Sequence, residues 1–343
     1  MIKIEKEYVP LHLYNFVTMK NFLFITVCLL CKSLCFGNMI SENTGLLWKI
    51  TGNKLENPSY LFGTWHSMPY QFLDSVPGFY SAFNIATVYL GEIDPTTKPN
   101  RLQFAKREMP QDTSYMDLLN KTDFDFLDSV VNKYLNASAD LINYRPFPLG
   151  YILSMTILTQ KMIQTDTTVK FIFQGGSLDG YLWMTAQKKG IPTFALETYS
   201  DRYRWGILDL SVYGAYDEKL EDQVQKLIVD IKALVSDSLD VQSGIDLIYA
   251  YCEQNLAKFE YIYSKDLNEK IILNEKTIKI EEATGKNRNV FWMEKISPWL
   301  INNPNSTLFI AVGATHLIGE YGLISLLRKE GYTVEPVTCN DEN

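Results

Sequence analysis

The sequence predicts an α/β (α+β) fold, a mixed β-sheet core carrying a large helical insertion. Short β-branched or aromatic segments cluster towards both ends of the chain, while apolar residues at helical spacing dominate its middle. Size agrees: 343 residues, 46% hydrophobic and 21% charged, can bury a large core and are too apolar for a disordered chain.

In chain order, residues 1–37 read as a leader. Phe22–Cys31 is an apolar run flanked by Lys20 and Lys32. It is too short to cross a bilayer of ~30 Å as a helix, but it fits the apolar region of a signal peptide. Cys35-Phe36-Gly37 places small residues where a signal peptidase reads, so cleavage is expected after Gly37, and Met19 would open a leader of ordinary length. Export to the periplasm or the medium follows. A lipid anchor is disfavoured, because leucines precede Cys31 and Cys35. No later apolar run is long enough for a transmembrane anchor in the mature chain.

Residues 38–343 read as one domain. Strands are predicted at Leu46–Thr51, Ser59–Phe62 and Thr87–Leu90, then at Thr193–Leu196, Thr307–Val312 and Tyr332–Val337. Between them, Ser177–Lys189 is a helix with Ser177 as N-cap and Gly190 past its end. Leu220, Val224, Leu227, Ile231 and Leu234 form the apolar stripe of another. Helices are also expected around 115–135, 149–162, 244–264 and 320–329. The helical insertion spans about 205–285.

Charge and cysteine content exclude several functions. The formal net charge is −8, and −10 once the leader is removed, which argues against nucleic acid as a partner. Only Cys252 and Cys339 follow the leader, so at most one disulfide forms and no cysteine-rich metal cage exists. The phosphate loop, the G-x-G-x-x-G fingerprint and the G-x-S-x-G elbow are all missing.

Histidine is the informative residue. Of His12, His66 and His316, only the last two survive cleavage, and both lie in one design: an apolar strand, glycine, and histidine three residues on. Tyr60-Leu-Phe-Gly-Thr-Trp-His66 and Ile310-Ala-Val-Gly-Ala-Thr-His316 would each deliver an imidazole at the sheet rim, the glycine allowing a sharp turn or a close backbone approach. A histidine just ahead of a helix, as His316 is, favours the neutral form, which binds metal or acts as a base. Acids follow the same logic. Glu92 and Asp94 leave one strand end on one face, and Glu197 ends another. Asp179 starts a helix, where dipole stabilisation is the competing explanation. Arg288 lies at a helix start before Phe291-Trp292.

These blocks, with Ser177-Leu-Asp-Gly-Tyr181, Arg145-Pro-Phe147, Arg288-Asn289 and the closing Gly322–Val334 stretch, resemble the TraB/PrgY/GumN family over about residues 46–337. The resemblance implies a fold like that of the Tiki metalloproteases and, more distantly, of erythromycin-esterase-like and ChaN-like haem-binding proteins. The family's active residues carry over to His66, Glu92, Arg288 and His316, with Glu197 the least well matched. His66, Glu92 and His316 would then hold a divalent ion (Mn, Co or Zn) in a metallopeptidase acting on a peptide or protein substrate. Glu197 would serve as base, and Arg288 would stabilise the oxyanion. Two other readings stay open: a non-catalytic peptide- or haem-binding protein, and a metal-free esterase-like hydrolase using histidine as base.

Overall fold

A computed structural model describes residues 44–98, 107–204, 218–236, 239–271 and 282–338. The expected leader, Cys339 and parts of the expected insertion lie outside these residues. So does the first of the chain's two units, Met1–Met39; the second is Ile40–Asn343.

Six strands, β1 (Leu47–Gly52), β2 (Ser59–Thr64), β3 (Val88–Gly91), β4 (Thr193–Ala195), β5 (Leu308–Gly313) and β6 (Tyr332–Pro336), form one mixed sheet in the order β4-β3-β5-β2-β1-β6. β1 pairs antiparallel with β2 and β6, while β2, β5, β3 and β4 run parallel. The all-apolar run Leu-Phe-Ile-Ala-Val at β5 suits a central strand covered on both faces, and all of β5 is buried.

Register sets the position of the site. Thr64 pairs with Gly313, Gly91 with Ala311, and Ala195 with Gly91. The four parallel strands therefore end at one edge of the sheet. His66, Glu92, Glu197 and His316 each follow one of these ends by one to three residues, the edge at which α/β sheets collect ligands.

The helices named below are α1 (Phe79–Asn84), α2 (Lys121–Leu135), α3 (Pro146–Thr165), α4 (Leu178–Lys188), α5 (Tyr199–Arg204), α6 (Leu220–Val235), α7 (Gln242–Cys252), α8 (Leu256–Ile271), α9 (Asn287–Asn302) and α10 (Leu323–Lys329). The sheet core, including Trp48, Phe62 and Phe309, packs against α1, α4, α7 and α9. A second apolar cluster joins α2, α3 and α6 through Leu127, Val131, Leu153, Ile157, Val224 and Ile228. Helices that precede β4 thus pack with α6, and the helical body draws on two parts of the chain.

Three expected helices have different boundaries. The 115–135 segment breaks into a turn at Tyr115–Leu118 and α2, because Asn120 caps α2 by accepting from the Asp123 amide. The 244–264 segment divides into α7 and α8 around Gln254, whose φ of +54° ends the first helix. α10 starts at Leu323 rather than Glu320, behind a turn at Gly319 with φ +82°. Among the described residues, no helix is long and apolar enough to cross a membrane.

Candidate active site

The two G-x-x-H motifs pack against each other. A Cβ on Gly63 would lie 3.0 Å from Leu317 and 3.2 Å from the backbone of Ala314. A Cβ on Gly313 would lie 3.3 Å from Glu92 Oε1, 3.6 Å from His316 Cδ2 and 4.0 Å from His66 Nε2. Neither glycine has a positive φ. Both are needed for close approach, and the point beside Gly313 is where two histidines and a glutamate converge.

His66 is held from outside the sheet. Its Nδ1 lies 2.5 Å from Asp179 Oδ2, and Thr64 Oγ1 donates to the other oxygen of Asp179 at 2.6 Å. The Leu178 amide donates to the His66 carbonyl at 2.9 Å. A Cβ on Gly175 would come within 2.4 Å of Pro69, so only glycine lets these two segments meet so closely. The hydrogen bond to Asp179 pushes His66 up to about 9, against a smaller opposing effect of burial and with help from the charges of Asp179 and Glu92. Asp179, for which dipole stabilisation was the competing explanation, is the partner that orients the first histidine.

His316 is the opposite case, buried and neutral. Asn289 Nδ2 donates to the carbonyls of His316 and Tyr321, which turns Asn289 Oδ1 towards His316 Nδ1 at 2.7 Å. The proton therefore sits on Nδ1 and the lone pair on Nε2. Arg288 Nη1 lies 2.9 Å from that Nε2 and donates to it. Burial pushes His316 down to about 3. Its neutrality thus comes from desolvation rather than from a following helix.

The acids are engaged by two arginines. Glu92 Oε1 accepts from the Gly313 amide at 2.8 Å; its Oε2 accepts from Arg288 Nη2 at 2.7 Å and Arg202 Nη2 at 3.0 Å. Burial works against its charge, but Arg288, His316, His66 and Arg202 outweigh it and hold Glu92 below the usual carboxylate range. Glu197 is fully buried. Its Oε1 accepts from Arg202 Nε and Arg288 Nη2, both at 2.6 Å, and its Oε2 from Arg288 Nε at 3.1 Å and Trp292 Nε1 at 3.2 Å. Arg288 also donates from Nη1 to the Thr284 carbonyl, so all five of its N–H groups are directed at acceptors.

A cavity of about 210 Å³ opens beside this network, lined among others by His66, Glu92, Asp179, Trp183 and Arg202. Of the expected residues, His66 and Glu92 reach the cavity, while Glu197, Arg288 and His316 stand behind its wall. Asp94 turns away, accepting from the backbone and hydroxyl of Thr96. Sequence reasoning missed Thr64, Arg202 and the orienting role of Asn289. Only Asn289 carried a signal, as the neighbour of Arg288.

The donor types suit a divalent ion: an imidazole oriented by a carboxylate, a second imidazole with its Nε2 lone pair exposed to a partner, and an ionised carboxylate. His316 Nε2 lies 3.9 Å from Glu92 Oε1, a span that two ligands of one ion can share, but among the described residues no group of three or more His, Cys, Asp or Glu is gathered closely enough to hold an ion. Arg288 stands where His316 would meet the metal.

Over 48 residues the chain is 42% identical to "Metalloprotease TIKI2" of Danio rerio, a match that covers 14% of this chain and 9% of that protein. No solved structure matches. The model of the TraB/PrgY/gumN family matches residues 46–336, which takes in all six strands and every residue of the site, and the chain belongs to that family.

Proposed function

We propose that the chain is a hydrolase, and that its reaction is metal-assisted cleavage of peptides in an exported compartment. One observation carries this reading. His66 Nε2 and Glu92 Oε1 face the same point beside Gly313, on a cavity, with the His66 ring oriented through Nδ1 by Asp179. The printed name of the short match, a metalloprotease, points the same way.

His66 and Glu92 would hold the ion (Mn, Co or Zn), with His316 as third ligand once its Nε2 is released by Arg288. When bound, such an ion lowers the pKa of water and polarises a carbonyl. The chain's own residues do the rest. Asp179 keeps the Nδ1 proton of His66 in place and so directs Nε2 to the cavity. Glu197, enclosed by two guanidinium groups and an indole, positions Arg202 and Arg288 rather than taking a proton from water. The two arginines keep Glu92 ionised.

The contact between Arg288 and His316 favours a second reading, a metal-free hydrolase in which His316 stays on Arg288 and His66 acts as the base in its deprotonated form, reached as pH rises towards 9. Metal analysis and cleavage of a quenched fluorescent peptide library separate the two. The first reading expects cleavage that chelators abolish, that Mn²⁺, Co²⁺ or Zn²⁺ restores, and that His66→Ala and Glu92→Gln lose. Chelator-insensitive cleavage would establish the second. A wild type that binds peptide or haem without turnover would overturn both.

A further inference from the structure

We infer that Arg202, rather than Arg288, is the guanidinium that touches the substrate, holding the carbonyl oxygen on which negative charge develops. The inference rests on the hydrolase reading above and assigns the oxyanion-stabilising role within it.

The two arginines share the same acids but differ in what they have left. Arg288 has a side chain only 9% exposed, has committed all five N–H groups and does not line the cavity. It could reach a substrate only by giving up a bond to Glu92, Glu197, His316 or the Thr284 carbonyl. Arg202 lines the cavity, and its side chain is 21% exposed. Nε donates to Glu197 and one Nη2 hydrogen to Glu92, while Nη1 meets no acceptor among the described residues.

Position is fixed as firmly as charge. The Arg202 amide donates to the Thr198 carbonyl, and Thr198 is itself locked to Asp201 through its amide and hydroxyl. Arg202 therefore leaves the first turn of α5 already aimed, and its two bonds to carboxylates stop the head group from turning. A preorganised donor of this kind costs no reorganisation when charge appears, which is what makes such donors effective. It shares the cavity wall with His66 and Glu92, the two candidate residues that would bring water to the same carbonyl.

The test is steady-state kinetics of the full chain, using the best-cleaved member of the quenched peptide library and its thionoamide analogue, in which sulfur replaces the scissile carbonyl oxygen. Arg202→Lys keeps a cation against Glu92 and Glu197 but loses the second arm. It should lower kcat by about tenfold or more with KM changed less than about threefold; Arg202→Met should lower kcat by roughly 10²–10³, as loss of one oxyanion donor does. The rate penalty for the sulfur analogue should shrink in both variants, which a purely structural role of Arg202 would not produce. If Arg202→Met fails to fold, Arg202→Lys decides. Wild-type kcat in Arg202→Lys, or an unchanged sulfur penalty, overturns the inference while leaving the hydrolase reading intact. Failure of the wild type to cleave any library member overturns that reading, and the inference with it.

Discussion

Arg288 Nη1 donates to His316 Nε2 across 2.9 Å, so the lone pair that a metal would use is already spent on a guanidinium. The same arginine binds Glu92 and Glu197, and Arg202 binds both acids as well. Two buried glutamates and two arginines thus form one network, with Glu92 and Arg202 on the cavity wall and Glu197 and Arg288 behind it. Breaking such a pair is costly because it leaves a charge unpaired in a dry interior.

Glu197 is the clearest place to measure that cost. Glu197→Ala should destabilise the protein by about 3–5 kcal/mol, since both arginines lose a buried acceptor. Thermal or urea unfolding would report it. A loss under ~1 kcal/mol would mean that water or rearrangement compensates, and that the network is looser than its geometry.

Two glycines should respond oppositely to alanine. Gly313→Ala directs a methyl group to the meeting point of Glu92, His66 and His316, at a backbone φ of −54° that any residue adopts. Activity should fall about tenfold or more, equal to ~1.4 kcal/mol of barrier, with little change in melting temperature. Gly175→Ala instead drives a methyl into the Pro69 backbone and should cost stability, roughly 1–3 kcal/mol. Paired melting curves and rates distinguish the effects.

The pH dependence of stability should have two limbs. His66 is raised to about 9 by Asp179, so in the metal-free protein its contribution is fully present below its unfolded value of about 6.5 and is lost as pH climbs through 9. Asp179→Asn should flatten that alkaline limb and move the His66 imidazole NMR titration down towards 6.5. His316 is lowered to about 3, so below pH ~6.5 the unfolded chain takes up a proton that the folded chain refuses. Stability should therefore fall with acid between about 6.5 and 3, and His316→Gln should reduce the slope. A flat acid limb in the wild type would contradict a buried neutral His316.

Metal binding should depend on Arg288 in a sense opposite to stability. Arg288→Met frees His316 Nε2, and calorimetric titration with Mn²⁺ or Zn²⁺ should find binding tighter per folded molecule than in wild type, even as the melting temperature drops. Weaker binding in that variant would show that Arg288 supports the ion site instead of competing with it.

Much of this site could be read from residue order. A strand, a glycine and a histidine, repeated 250 residues apart, located both imidazoles; apolar strands ending in Glu92 and Glu197 located the acids. This worked because a strand end is a local property, set by β-branched runs stopping at glycine or at an acid. Register then made four local features into one site, since the parallel strands β2, β5, β3 and β4 end at the same edge. Three decisions belonged to the tertiary structure alone. Asp179 reaches His66 only because Gly175 lets its loop lie on Pro69. Arg202 and Arg288 look equivalent as letters, and only burial and the count of committed donors separate the arginine behind the wall from the one on the cavity. His316 is neutral because the fold removes water from it. Sequence determines which groups are available; desolvation and long-range hydrogen bonds, which no local pattern encodes, decide which of them are charged, committed or free to act.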